Sequence, residues 1–175
     1  MIVSLSGFMG CGKSTVGRDL LGLLPGFELI DLDEFIENGD GRSVAEIFRE
    51  DGEAAFREME ADAVECLLDV YGTTGRDLIL SLGGGTLTNP EVAAEIRNRT
   101  ENFYLRATVE TLVENLQGAS EGRPMLDGGK LEDRVKDLMS RRSAVYEATA
   151  SRIIDTDGRD CSDVAREIAD IISQE

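Results

Sequence analysis

Gly7-Phe8-Met9-Gly10-Cys11-Gly12-Lys13-Ser14 is the stretch that decides the fold. It follows the apolar run Met1-Ile2-Val3-Ser4-Leu5 and precedes a helical pattern. That is the strand–loop–helix setting which G-x-x-x-x-G-K-[ST] requires. Glycines let the backbone curl so that successive N–H groups converge on a phosphate, and the helix N-terminus adds the positive end of its dipole. In such a loop Lys13 reaches the outer phosphates and the Ser14 hydroxyl is a ligand for Mg²⁺. A plain glycine-rich turn is the competing reading, but it needs neither the preceding strand nor Lys-Ser at the mouth of a helix. The motif predicts a binding site for a nucleoside triphosphate.

Outward from this loop, the apolar residues alternate between strand and helix patterns. Lys13 to Leu24 reads as a helix stopped by Pro25-Gly26, and Phe27 to Asp31 as a second strand. Ser43-Val44-Ala45-Glu46 is a capping box, and Glu53 to Tyr71 carries a long helical pattern beyond Gly52. Leu78 to Leu82 is a strand ending in Gly83-Gly84-Gly85, and Asn89-Pro90 caps the next helix. Phe103-Tyr104-Leu105 is a strand and Thr108 to Leu116 a helix. Gly118 to Gly129 breaks the pattern around Arg123-Pro124 and is expected to be a mobile loop. Leu131 to Ala150, Arg152 to Asp155 and Ser162 to Ser173 then read as helix, strand and helix. Strands alternating with helices predict an α/β fold: a three-layer α/β/α sandwich around a central five-stranded parallel sheet. With 175 residues and 41% hydrophobic content, a single domain over 1–175 is expected.

Charge and cysteine usage narrow the function. The net charge of −17 argues against nucleic acid or an anionic membrane as partner, because a phosphate backbone needs a basic face. A nucleotide is also an anion, so local cations must capture it against the field of the whole chain. Lysines are confined to Lys13, Lys130 and Lys136, which leaves arginines, whose planar forks grip carboxylate and phosphate bidentately. No stretch approaches a membrane span and no charged leader precedes the first strand, so a cytoplasmic location is expected. Cys11, Cys66 and Cys161 lack the spacing of a metal site or a disulfide framework. Cys11 lies at a helix N-terminus beside Lys13, a setting that favours a reactive thiol protected by nucleotide, with a small residue tolerated in the loop as the alternative.

Two further constellations bear on chemistry. Asp31-Leu32-Asp33 follows the second strand, and on an extended segment both carboxylates face one way. One can hold Mg²⁺ through water and the other accept a hydroxyl proton, or the pair simply caps the helix beginning near Glu34. Arg57, close to Phe48 and Phe56, either walls a pocket or pairs with neighbouring glutamates at the surface. Gly83-Gly84-Gly85 after a strand suggests backbone approaching a ligand, with a simple loop as the alternative. The chain contains no histidine, so a carboxylate is the natural base.

Taken in order, Gly7 to Thr15, Asp31-x-Asp33, Phe56-Arg57-x-x-Glu60, Gly83-Gly84-Gly85, Arg123-Pro124-Met125-Leu126 and Arg142-x-x-x-Tyr146 resemble the shikimate kinase family from the first strand to the final helix. The resemblance implies the P-loop architecture of nucleoside monophosphate kinases, with a phosphate loop at 7–15, a substrate region at 33–60 and a lid at 117–130. It implies ATP bound by Gly10, Cys11, Gly12, Lys13, Ser14, Thr15, Arg123 and Arg159, and Mg²⁺ as cofactor near Ser14 and Asp31. It implies shikimate bound by Asp33, Arg57, Gly84 and Arg142, with Lys13, Asp33 and Arg123 as the catalytic set. The partners expected are these two small molecules, and the working state a monomer.

The resemblance also has departures. Leu116 to Gly122 lacks the extra basic residues of many relatives, Ala144-Val145 replaces the more usual Pro-Leu, and Cys11 stands where a small residue is common. Rival readings are a gluconate or nucleoside monophosphate kinase of the same architecture, a regulatory GTPase, and a nucleotide-binding partner without turnover. The GTPase reading fails because neither Lys130 nor Lys136 follows an asparagine, as an Asn-Lys-x-Asp guanine reader requires.

Overall fold

A computed structural model describes residues 1–117 and 130–174. The strands are β1 (Ile2–Ser6), β2 (Phe27–Asp31), β3 (Asp77–Ser81), β4 (Glu101–Arg106) and β5 (Arg152–Asp155). They form one parallel sheet in the order β2-β3-β1-β4-β5. The register sets Ser81 on β3 beside Leu5 on β1 and Asp31 on β2, so the three C-terminal ends that carry the sequence motifs lie together. Ligands in open parallel sheets bind outside such ends, where the strand order reverses.

The helices are α1 (Lys13–Leu23), α2 (Leu32–Asp40), α3 (Val44–Asp51), α4 (Glu53–Thr74), α5 (Pro90–Arg99), α6 (Val109–Leu116), α7 (Leu131–Thr149) and α8 (Cys161–Ile172). α1 packs on α8, while α4, α5 and α7 pack in succession, and the sheet lies between. Val3, Leu5, Leu78, Ile79, Leu80, Phe103 and Leu105 are fully buried at its centre. Apolar residues on consecutive strand positions, with both faces hidden, are what a parallel sheet covered on both sides requires.

Local signals behave as the sequence predicts. Ser43 and Glu46 form a reciprocal capping box, and the Asn89 side chain accepts from Glu91 and Val92 N–H with Pro90 in the first turn. α4 runs one turn farther than the periodicity suggests, to Thr74, because Gly75 supplies the left-handed stop (φ 67°). One expectation fails. Leu32 and Asp33 are not extended but already helical, since the Asp31 side chain caps α2 through Asp33 and Glu34 N–H.

Candidate active site

The phosphate loop joins β1 to α1. Gly10 and Gly12 take positive φ, 84° and 99°, which turns the backbone inward at low cost only for glycine. Leu116 at the end of α6 packs over Gly10, and the Asn115 amide donates to the Gly10 carbonyl at 2.8 Å. Lys13 is held against the loop itself. Its ammonium donates to the carbonyls of Gly7 at 2.8 Å and Phe8 at 3.1 Å, and the side chain is buried. An ammonium has three donors, and the third meets only the Cys11 sulfur at 3.9 Å, a weak acceptor that a phosphate oxygen would displace.

Next to the loop, the Ser14 hydroxyl donates to Asp31 Oδ2 at 3.0 Å while Asp31 Oδ1 accepts from Asp33 and Glu34 N–H. Asp31 thus caps the helix, as the second sequence alternative expects, and meets Ser14 with its other oxygen. No group of three or more metal-ligating side chains exists among the described residues. A serine hydroxyl with one carboxylate is nonetheless the sparse oxygen set that suits Mg²⁺, which keeps waters and takes its remaining ligands from phosphates.

Asp33, on the first turn of α2, faces the same cleft. Burial, then the charges of Glu60 and Asp31, push its carboxyl up to about 6, against a weaker opposing pull from Lys13. A base poised there is ionised at neutral pH yet still basic enough to take a hydroxyl proton.

Arg57 and Arg142 reach the cleft from different helices. Arg57, on α4, pairs with Glu60 one turn on and with Glu53 at 3.3 Å, and its guanidinium lies 5.9 Å and 5.5 Å from the ring centres of Phe48 and Phe56. Pocket wall and glutamate pairing therefore coexist. Arg142, on α7, is 3% exposed, and its Nη1 has no partner among the described residues. A buried guanidinium nitrogen without a partner is costly unless a ligand completes it.

The three glycines after β3 are explained by close approach and not by backbone sign, since none has positive φ. A Cβ on Gly83 would come 2.8 Å from Glu60 Oε1 and 3.1 Å from Asp33 Oδ1, and one on Gly85 would collide with the Arg57 guanidinium. Gly84 lies between the Met9 backbone and Arg142. A side chain at Gly83 or Gly85 would displace these charged groups from the cleft.

These residues line one cavity of about 350 Å³, which includes Gly10, Gly12, Lys13, Ser14, Thr15, Asp31, Asp33, Arg57, Gly84 and Arg142. Some expected residues are elsewhere. Arg159 does not line it, being held by the Asp155 carbonyl at 3.0 Å and the Glu167 carboxylate at 2.6 Å. Cys11 is buried at 5% exposure with Sγ 3.9 Å from Lys13 Nζ, which closes it to bulky alkylating reagents and corrects the expectation of a reactive thiol. Arg123 and nearly all of the 117–130 segment lie outside the described residues.

Sequence reading gave Glu60 no role of its own. It is 1% exposed, pairs with Arg57, accepts from the Thr86 hydroxyl at 2.6 Å and raises Asp33. The available signal was a carboxylate on the apolar face of α4, three residues after Arg57.

A phosphate loop, a half-buried carboxylate and two guanidinium groups in one cleft define a P-loop phosphotransferase for a small anionic acceptor. A family model described as shikimate kinase matches residues 9–173. A shikimate kinase from Thermus thermophilus is 40% identical over 169 residues, covering 96% of this chain and 88% of that one. One from Mycobacterium tuberculosis is 38% identical over 164 residues, covering 94% and 89%. The solved structure of shikimate kinase from Acinetobacter baumannii in complex with shikimate matches with a TM-score of 0.90 at 31% identity, covering 99% of this chain and 93% of that one. The chain belongs to the shikimate kinase family, ATP-using phosphotransferases with an alcohol acceptor.

Proposed function

We propose that this chain transfers the γ-phosphoryl group of ATP to the 3-hydroxyl of shikimate, giving shikimate 3-phosphate and ADP. The observation that carries the reading is the pair Arg57 and Arg142 beside Gly84 and Gly85, lining one cavity with Asp33 and the phosphate loop. A ring that carries one carboxylate and several hydroxyls satisfies all of these at once: the guanidinium groups take the carboxylate and Asp33 takes the hydroxyls.

Gly10, Cys11, Gly12 and Thr15 would supply the phosphate cradle with the first turn of α1, and Lys13 would hold the outer phosphates. Ser14, with Asp31 through water, would hold Mg²⁺, which when bound would supply positive charge against the phosphates. Asp33 accepts the proton of the attacking hydroxyl or orients it in line with the phosphorus. Little covalent chemistry falls to the protein, so alignment and charge stabilisation carry the rate. Arg123, in the 117–130 lid, completes the catalytic set by resemblance, and Arg159 would act through the nucleotide side. Residues 33–60 form the acceptor region of a single domain, and one chain holds every group the reaction uses, which supports a monomer. No helix among the described residues is long and apolar enough to cross a membrane, and this reading places the protein in the cytoplasm.

A coupled ADP-release assay with shikimate, gluconate and AMP as acceptors tests the proposal. Turnover with shikimate alone is expected, and Arg142→Ala should cost about 2–5 kcal/mol in kcat/KM for it. Turnover with gluconate or AMP and none with shikimate would overturn it.

A further inference from the structure

The triple-glycine loop is saturated on its carbonyl side only. The Gly83 carbonyl accepts from Thr86 N–H at 3.3 Å, and the Gly85 carbonyl from Thr88 N–H at 3.1 Å and the Thr88 hydroxyl at 2.6 Å. The Gly84 carbonyl accepts from the Tyr146 phenol. None of the three glycine N–H groups donates to a partner among the described residues. A peptide is planar and trans, so its C=O and the following N–H point in opposite directions. Fixing the Gly84 carbonyl on Tyr146 therefore aims the Gly85 N–H away from α7.

Tyr146 is built for that task. It is 1% exposed, its ring packs on Tyr104 with centres 5.1 Å apart, and burial raises its phenol so that it stays a donor. It follows Arg142 by one turn of α7, and a Cβ on Gly84 would lie 3.5 Å from Arg142 Nη1. One helix thus holds a guanidinium for an anion and sets the peptide that the same anion would meet.

We infer that Tyr146 is a positioning residue for the acceptor's carboxylate, its phenol holding the Gly84 carbonyl so that the Gly84–Gly85 loop presents N–H donors beside Arg142. The inference rests on the shikimate reading above. Tyr146→Phe keeps the ring and its packing and removes one hydroxyl. The KM for shikimate should rise about tenfold, the worth of one hydrogen bond, while the KM for ATP and the slow hydrolysis of ATP without acceptor stay within about twofold. The preference of the wild type for shikimate over its methyl ester should shrink by a similar factor.

An unchanged KM for shikimate, with or without a lower Tm, would reduce Tyr146 to core packing and overturn the inference. A loss confined to the KM for ATP would overturn it too, because the loop would then serve the nucleotide. In the ligand-free protein, the ¹³C carbonyl resonance of Gly84 should move in Tyr146→Phe, and no movement would likewise overturn the inference. A wild-type protein that bound no shikimate would instead overturn the function proposed, and that carbonyl resonance tells the two failures apart.

Discussion

The Ser14 hydroxyl donates to Asp31 across 3.0 Å, and the same aspartate caps α2 with its other oxygen. One carboxylate therefore serves the helix and, in the function proposed, the Mg²⁺ site, and two substitutions separate the roles. Asp31→Asn keeps an acceptor for the cap and loses the charge. It should leave Tm nearly unchanged while raising the Mg²⁺ concentration needed for half-maximal rate several-fold. Asp31→Ala should raise the Mg²⁺ requirement as well and lower stability by about 1 kcal/mol for the missing cap. Magnesium titrations and thermal melts of the two variants check this.

Asp33 predicts two pH effects of opposite sense. Its carboxyl titrates near 3.8 when free and near 6 in the fold, so between those values the folded state binds more protons than the unfolded. Stability from this group accordingly falls as pH rises through that window and is level above it. Asp33→Asn should flatten the slope and raise stability at pH 7 by about 1–3 kcal/mol, while abolishing turnover. In the wild type, kcat/KM for the acceptor should fall tenfold per unit below about pH 6, since that parameter reports the free enzyme's base.

Glu60 ties this base to the arginine clamp, for it pairs with Arg57 and is the leading charge that raises Asp33. Glu60→Gln should shift the acidic limb of the kcat/KM profile to lower pH and raise the KM for shikimate. Glu60→Ala also leaves Arg57 without its buried partner, which should cost about 3–5 kcal/mol in denaturant melts.

Lys13 is expected to be expensive to replace in two currencies. Lys13→Met leaves the Gly7 carbonyl without its donor, while the Phe8 carbonyl keeps the Cys11 N–H at 3.2 Å, a loss of about 1–3 kcal/mol in stability. The rate constant should fall about 10²–10³-fold, as when one donor to a developing oxyanion is removed. Steady-state kinetics at saturating ATP, with a melt of the same sample, reads both.

Much of this was legible in the sequence because the signals are local. A glycine-rich turn before Lys13, a capping box at Ser43 and Asn89-Pro90 each act through a few neighbouring residues, and strand–helix alternation restricts the topology. The Asp31-x-Asp33 pair was placed in the right cleft for a wrong reason, since side-chain capping turned an expected extended segment into a helix. Glu60 and Tyr146 were visible only as letters in motifs. Their roles depend on contacts with Thr86 and Gly84, 26 and 62 residues away in the chain, which no periodicity records. Three glycines after a strand suggest backbone approaching a ligand or a simple loop, whereas Gly83 and Gly85 first make room for Glu60, Asp33 and Arg57.

The most direct test is the identity of the product. Incubation with Mg-ATP and shikimate, followed by ³¹P–¹H correlation NMR, should show a phosphate ester coupled to the ring proton at carbon 3, with one ADP formed per ester. An ester on another hydroxyl, or ADP formed with shikimate left unmodified, would contradict the account.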